Sequence, residues 1–316
     1  MVICPKVSVI IPAYNIRSYI GDALASLIRQ SFQNFEAIVV DDGSCDGTEL
    51  VVKSYVEEDS RFRLLQKQNG GLSSARNYGM RHACGSYIAL LDGDDAYHPD
   101  KLANHVAKLD NNSDIGVVYS ASRTIRDDGR PTFMYLSGKP VKSDPVLALL
   151  CKNFVCHGSN AVFRRCLLNE VGEFDENLRS SEDIDFWLRV AFTRQWRFYR
   201  EPRALCYYRV RPSGLTFNVE QMHHCCEQVI QRAYSGYSEL VEPILPTAYA
   251  YMYRYLARLC LQTGNIKQAR DFLNQALAKD KSIFYTDLRS LLTLVSVGLA
   301  PLAKLAIRQT LQIPAR

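Results

Sequence analysis

No uncharged apolar stretch in this 316-residue chain is long enough to cross a bilayer. The longest covers residues 291–303, 13 positions interrupted by Gly298 and Pro301, whereas a spanning helix needs roughly 20. A buried or interfacial helix is expected there, with Lys304, Arg308 and Arg316 available to lipid headgroups. Excess charge of one sign is also scarce, since 38 basic and 33 acidic residues leave a formal +5. No nucleic-acid partner is expected on that balance; an anionic substrate or a mild attraction to headgroups suits it equally. The ten cysteines include no Cys-x-x-Cys pair, which argues against a disulfide framework or zinc ribbon and for scattered thiols in a reducing compartment. His223-His224-Cys225-Cys226 is read as structural, because adjacent residues on a helix point in different directions. The first six residues lack the charged region and apolar core of a secretion signal. The expected location is therefore cytoplasmic, with peripheral contact at the inner face of the cell membrane as its extension.

What is present is a repeated strand and helix pattern with carboxylates at the strand ends. Residues 7–12 read as a strand, Ala13-Tyr14-Asn15 as a loop and residues 18–30 as a helix. A second strand, residues 35–40, ends in Asp41-Asp42-Gly43-Ser44. A third, residues 62–65, leads through Asn69-Gly70-Gly71-Leu72 into a helix that begins near Ser73. The fourth, residues 87–91, is a short apolar run followed at once by Asp92-Gly93-Asp94-Asp95. This alternation predicts an α/β fold with a mostly parallel, doubly wound sheet. Open sheets of that kind bind ligands at the carboxyl ends of their strands, and clustered carboxylates repel unless a hard cation lies between them. Asp92, Asp94 and Asp95 therefore read as a metal and phosphate-ester site, against the plainer alternative of a surface turn.

At this point the motifs resemble a known family. Pro12-Ala13-Tyr14-Asn15, Val39-Val40-Asp41-Asp42-Gly43-Ser44, Asn69-Gly70-Gly71 with Ala75-Arg76-Asn77, and Leu91-Asp92-Gly93-Asp94-Asp95 are similar to the successive signatures of family 2 glycosyltransferases. The likeness runs from about Val7 to about Leu215. It implies the A-type glycosyltransferase fold and an inverting transfer from a nucleoside diphosphate sugar, with a UDP-sugar favoured and GDP or dTDP next. It further implies an acceptor hydroxyl on a glycan or lipid-linked glycan, and Mn²⁺ or Mg²⁺ as cofactor. Carried over residue by residue, Pro12, Tyr14, Asp42, Arg76 and Asp92 fall on the nucleotide, and Asp94 with Asp92 on the metal. In Ser180-Ser181-Glu182-Asp183, Asp183 takes the place of the catalytic base, with Glu182 beside it. His157, Gly158 and Trp187 fall on the acceptor side. Arg209 and Arg211 fall near the diphosphate; many members carry a histidine where Arg211 stands, and an arginine can neutralise phosphate but cannot ligate a cation. The serines of this acidic motif are also good helix-start residues.

Two other classes fit the motifs less well. A nucleotidyltransferase of the nucleotide-sugar pyrophosphorylase kind wants a glycine-rich basic loop after the first strand, where this chain has Pro12-Ala13-Tyr14-Asn15. A catalytically inactive sugar-nucleotide-binding protein is opposed by the intact Asp94 and Asp183. Past Asn218 the strand pattern stops and helix formers take over. A catalytic domain over residues 1–218 and an α-helical extension over 219–316 are therefore expected. Leu256, Ala257, Gly264, Ala269, Leu273, Ala276 and Leu277 in that extension resemble one tetratricopeptide-like hairpin.

Overall fold

Burial on both faces explains why the first strands are so uniformly apolar. In the computed structural model, which describes residues 4–137, 141, 144–211 and 218–310, every residue of β1 (Val7–Ala13) and β2 (Phe35–Asp41) is buried. Residues 212–217, the last stretch of the family likeness, and Arg316 lie outside the described residues. Helices α1 (Arg17–Ile28), α2 (Thr48–Glu58) and α3 (Leu72–Arg81) connect β1, β2, β3 (Phe62–Gln66) and β4 (Tyr87–Leu90). These four strands lie in the order β3-β2-β1-β4, all parallel. Pro12 is tolerated inside β1 because pairing with β4 ends at Ile10 opposite Leu90, so no ladder bond needs its missing N–H.

Beyond β4 the nine-stranded sheet becomes mixed. Its further elements are β5 (Ala96–Tyr97), α4 (Lys101–Asp110), β6 (Ile115–Ile125), β7 (Pro131–Ser137), α5 (Pro145–Cys151), β8 (Val162–Arg164), α6 (Leu167–Val171), α7 (Glu182–Phe192) and β9 (Arg197–Arg209). The order continues β4-β8-β6-β9-β5, with β7 on β6. β8 is antiparallel to both its neighbours, β9 parallel to β6, and β5 antiparallel to β9. The parallel, doubly wound character thus belongs to the first four strands. Two registers place the end of β9 beside the aspartate turn: Ala96 opposes Tyr207, and Ile125 opposes Arg209.

The chain divides into two compact units, residues 1–149 with 153–212, and residues 150–152 with 213–316. The second is helical: α8 (Val219–Gly236), α9 (Ser238–Val241), α10 (Leu245–Gln262), α11 (Ile266–Lys279), α12 (Ile283–Thr286) and α13 (Leu288–Thr310). Asn218 and Asn265 cap α8 and α11 by accepting from the amides of Gln221 and Gln268. Gly264, at φ +79°, makes the left-handed turn between α10 and α11. Ala257, Ala269 and Ala276 are wholly buried along that hairpin. The His223 ring packs edge-on against Tyr253 and Phe272, Cys225 is buried beside it and His224 is exposed, so the run is divided between packing and surface. Among the described residues no helix is long and apolar enough to cross a membrane.

Packing of α3 on the sheet supplies a test. A methyl at Gly79 would lie 2.6 Å from Ile10 Cγ2 and 3.0 Å from Val40 Cγ2. Alanine in a helix is worth about 1 kcal/mol over glycine, but overpacking a closed interface costs about 1–3 kcal/mol. Gly79→Ala is expected to lower the urea midpoint with an unchanged slope; an equal or higher midpoint would show slack between α3 and the sheet.

Candidate active site

The turn after β4 is closed by its own polar groups. The Asp95 amide donates to the Asp92 carbonyl at 2.9 Å. The Asp92 amide donates to Ser159 Oγ at 2.9 Å, and that hydroxyl donates to Asp95 Oδ2 at 2.6 Å. Gly93 lets the turn pass under α1, since a Cβ there would sit 2.2 Å from Ile16 Cδ1. Asp95 is wholly enclosed. Burial pushes its carboxyl well above the usual range, and Asp94 and Asp92 add to that, against the Ser159 hydroxyl and the Arg209 amide that donate to it.

Arg76 joins this turn to the start of α7. Its guanidinium, 1% exposed, donates at 2.7 Å to Asp92 Oδ1 and at 2.7 Å to Glu182 Oε1. Burial opposes that charge, but Asp92 and Glu182 outweigh it and raise the Arg76 pKa above its ordinary value. The backbone of Gly158 closes over the bridge: a Cβ there would fall 2.2 Å from Arg76 Nη2 and 3.1 Å from Asp92 Oδ2. The neighbouring Asn77 exchanges two bonds with Phe174, Nδ2 to carbonyl at 2.9 Å and amide to Oδ1 at 3.0 Å. That clamp holds the segment leading to α7. Ser181, at the N-cap position, is left-handed at φ 60° and makes no capping bond with its side chain. Three carboxylates, Glu182, Asp183 and Asp185, crowd the first turn of α7, where the helix dipole favours negative charge.

Asp183 is half-buried at that helix start. Desolvation, then Glu182, push its carboxyl up to about 7, against Arg76 and a bond from Asn153. Asn153 Nδ2 donates to Asp183 Oδ2 at 2.8 Å. The Oδ1 of the same amide accepts from the Val155 and Cys156 amides at 3.1 and 3.2 Å, beside a left-handed Cys156 at φ 84°. Sequence reasoning misses Asn153, because it carries no motif and stands thirty residues from its partner.

The end of β9 brings two arginines to the turn, and they differ. Arg209 is buried with every guanidinium nitrogen engaged: Nε on the Asp94 carbonyl, Nη1 on the Arg126 and Asp127 carbonyls, Nη2 on Asp22 at 2.6 Å. Its expected place on the diphosphate is thus taken by protein partners, and its amide holds Asp95 at 2.8 Å. Arg211 is partly exposed, pairs with Asp94 and lies 4.9 Å from the centre of the Tyr19 ring. Asp94 is raised by desolvation first and by Asp92 second, with Arg211 pulling the other way. His157 is buried with Nε2 2.7 Å from Ser122 Oγ, its ring against Tyr208, and Nδ1 3.8 Å from Asp95. Burial pushes its pKa down to about 3, so it is neutral.

On the other side of β1, Asp42 is also a clamp. Its carboxylate accepts from Lys67 Nζ at 2.7 Å and from the Gly70 and Gly71 amides at 3.0 and 2.8 Å. Asn15 Oδ1 accepts from Cys45, and its amide donates to Ser44 Oγ, tying the loops after β1 and β2. Pro12 is buried and Tyr14 is exposed. Trp187 is a correction: fully buried among Phe163, Phe186 and Phe198, it belongs to the core behind α7 and does not reach an acceptor.

Among the described residues no group of three or more His, Cys, Asp and Glu side chains is set to hold a metal. The available donors are the Asp92 and Asp94 carboxylates, hard oxygens on one turn. Mg²⁺ commonly binds through one or two carboxylates and completes its shell with water and substrate phosphate. The raised Asp94 pKa marks a place where a cation would relieve repulsion, so the residues fit such an ion.

A mixed sheet with carboxylate-bearing turns at the carboxyl ends of its parallel strands is a glycosyltransferase architecture, and the sequence profile of Glycosyl transferase family 2 matches residues 8–172. The chain belongs to glycosyltransferase family 2. It is 34% identical over 218 residues to an uncharacterized glycosyltransferase of Rickettsia typhi, covering 67% of this chain and 66% of that one. Across the first curated relatives it matches, the aligned stretch spans between 27% and 66% of their length. Its fold is the A-type glycosyltransferase fold with added C-terminal helices. A mannosyltransferase from Pyrobaculum calidifontis, solved with GDP-Man and Mn²⁺, superposes with a TM-score of 0.63 at 22% identity, over 95% of this chain and 81% of that one. TarS 1-349 of S. aureus, solved with UDP-GlcNAc, does so with a TM-score of 0.56 at 21% identity, over 89% and 92%.

The Asn153 bond favours the ionised form of Asp183. Asn153→Ala is therefore expected to raise the Asp183 pKa further above about 7, followed by carbon-13 NMR of the carboxyl. An unmoved titration would show that the bond does not bear on ionisation.

Proposed function

We propose that this chain transfers a sugar, with inversion, from a nucleoside diphosphate sugar to a hydroxyl of a glycan or lipid-linked glycan. A UDP-sugar is favoured as donor and a GDP-sugar is next; the ligands of the two structural neighbours support the nucleotide-sugar class. Residues 1–218 are read as the catalytic domain and 219–316 as its helical extension. The observation that carries the reading is the Arg76 bridge, which ties the strand-end turn of Asp92 and Asp94 to the helix start bearing Asp183.

In this reading Pro12, Tyr14 and the Asp42-clamped loop form the base side, and Asp92 lies toward the ribose. Asp94, with Asp92, would hold Mn²⁺ or Mg²⁺, which when bound neutralises charge on the leaving diphosphate. Arg211 then exchanges Asp94 for a phosphate oxygen. Gly158 keeps the floor of the cleft open on the acceptor side, and the neutral His157 supports that floor from within. As the acceptor oxygen attacks the anomeric carbon, the bond to the diphosphate breaks on the opposite face and takes its electron pair with it. The hydroxyl proton passes to Asp183. With a pKa of about 7, this carboxyl is about half ionised at neutral pH, a suitable poise for a base.

Two outcomes test the reading. Asp183→Asn should lose about 10²- to 10⁴-fold in transfer while donor affinity stays constant, and the parent's rate should rise with pH through about 7 as the base ionises. Near-parental transfer by the variant, or a product with the donor's anomeric configuration, would remove the base role. For the metal, EDTA should abolish transfer and Mn²⁺ restore it; full activity in chelator would leave the diphosphate to Arg211.

A further inference from the structure

Helix α13 is packed with its apolar side outward. The residues it turns into the second unit include Ser290, Thr293 and Val297, all buried. Leu288, Leu292 and Leu299 are 69%, 56% and 54% exposed, and Leu291 and Val295 are exposed beside them. Their spacing, 288, 291, 292, 295 and 299, makes one continuous stripe on a 3.6-residue helix. The stripe starts next to Tyr285, itself 84% exposed. Ordinary surface helices do the reverse, and a contiguous apolar stripe of this size marks an interaction site.

Charge identifies the occupant. Between residues 279 and 300 the exposed charges are Lys279, Lys281 and Arg289. The two acids of the same stretch are turned to protein partners: Asp280 accepts from Thr247 Oγ1 at 2.6 Å, and Asp287 accepts from Lys152 Nζ at 2.6 Å and from Ser290. From Leu288 to Arg316 the sequence has no acidic residue and four basic ones, Arg289, Lys304, Arg308 and Arg316. An apolar stripe with an aromatic residue at its end, in a stretch whose exposed charges are all cationic, suits the boundary of an anionic bilayer. A second copy of the same helix would bring cations against cations with no acid to pair them. We infer that α13 lies flat on an anionic lipid surface with Leu288, Leu292, Val295 and Leu299 inserted below the headgroups and Arg289 at their level. Such contact requires none of the transfer chemistry.

The test is flotation of the full chain with phosphatidylcholine vesicles and with vesicles containing about 30% phosphatidylglycerol, at low and high salt. Binding is expected only to the anionic vesicles and should weaken with salt. Leu292→Glu with Leu299→Glu should abolish it, and Arg289→Glu should weaken it by on the order of tenfold. Both variants should keep the parent's circular dichroism and melting temperature, since the changed side chains face solvent. Arg289→Glu leaves the stripe intact, so it remains a test even if the double variant fails to fold. Absence of binding to anionic vesicles, binding that salt leaves unchanged, or a dimer in sedimentation velocity that the leucine variant disperses without any vesicle binding would each overturn the assignment.

Discussion

A single buried guanidinium sets the geometry of the first unit. Arg76 is almost sealed from water and shared between Asp92 and Glu182, so the end of β4 and the start of α7 are held a fixed distance apart through one rigid, planar group. Buried ion pairs add little net stability over an apolar replacement, but removing one partner costs about 3–5 kcal/mol because a charge is left stranded. The bridge therefore acts as a spacer. Its surroundings agree with that role: Gly158 leaves no room for a side chain over it, and Asn77, next to Arg76 on α3, fixes the approach to α7.

The carboxylates around the bridge are kept in different states by different neighbours. Asp95 is buried and braced by Ser159 and by the Arg209 amide, so it shapes the turn from within. Asp94 meets a side chain that can leave, Arg211. Asp183 has Asn153 and is only partly buried. Four carboxyls of one chemistry are thus set apart by burial and partners alone: Asp95 as a brace, Asp92 as a bridge end, Asp94 against a partly exposed arginine and Asp183 against an amide.

Much of this is legible in the amino-acid pattern. The apolar run of residues 87–91 followed by three aspartates locates the turn, and the alternation of strand and helix locates β1 to β4, because parallel strands buried on both faces leave a strong apolar signal. The second half is less legible. β6, β8 and β9 are joined in mixed directions through loops and short helices, with no repeating period to read. Trp187 follows an acidic helix start that suggests the acceptor side, but its position on α7 turns it to the core. Arg209 and Arg211 are two residues apart and equivalent as a pattern; only their tertiary contacts show that one is locked under the turn and the other stands beside Asp94. Asn153 leaves no trace in the pattern because its contact to Asp183 is purely tertiary.

The pairing of Asp94 with Arg211 has a consequence for the end of a catalytic cycle. In the proposed reaction a departing diphosphate would strip the site of its largest charge at once, and bare partners would hold the product back. In that reading Arg211, which the diphosphate would engage, keeps Asp94 within reach, so the ion pair can re-form as the product leaves. Release then exchanges one set of contacts for another, and the resting enzyme is returned to the electrostatic balance from which it started.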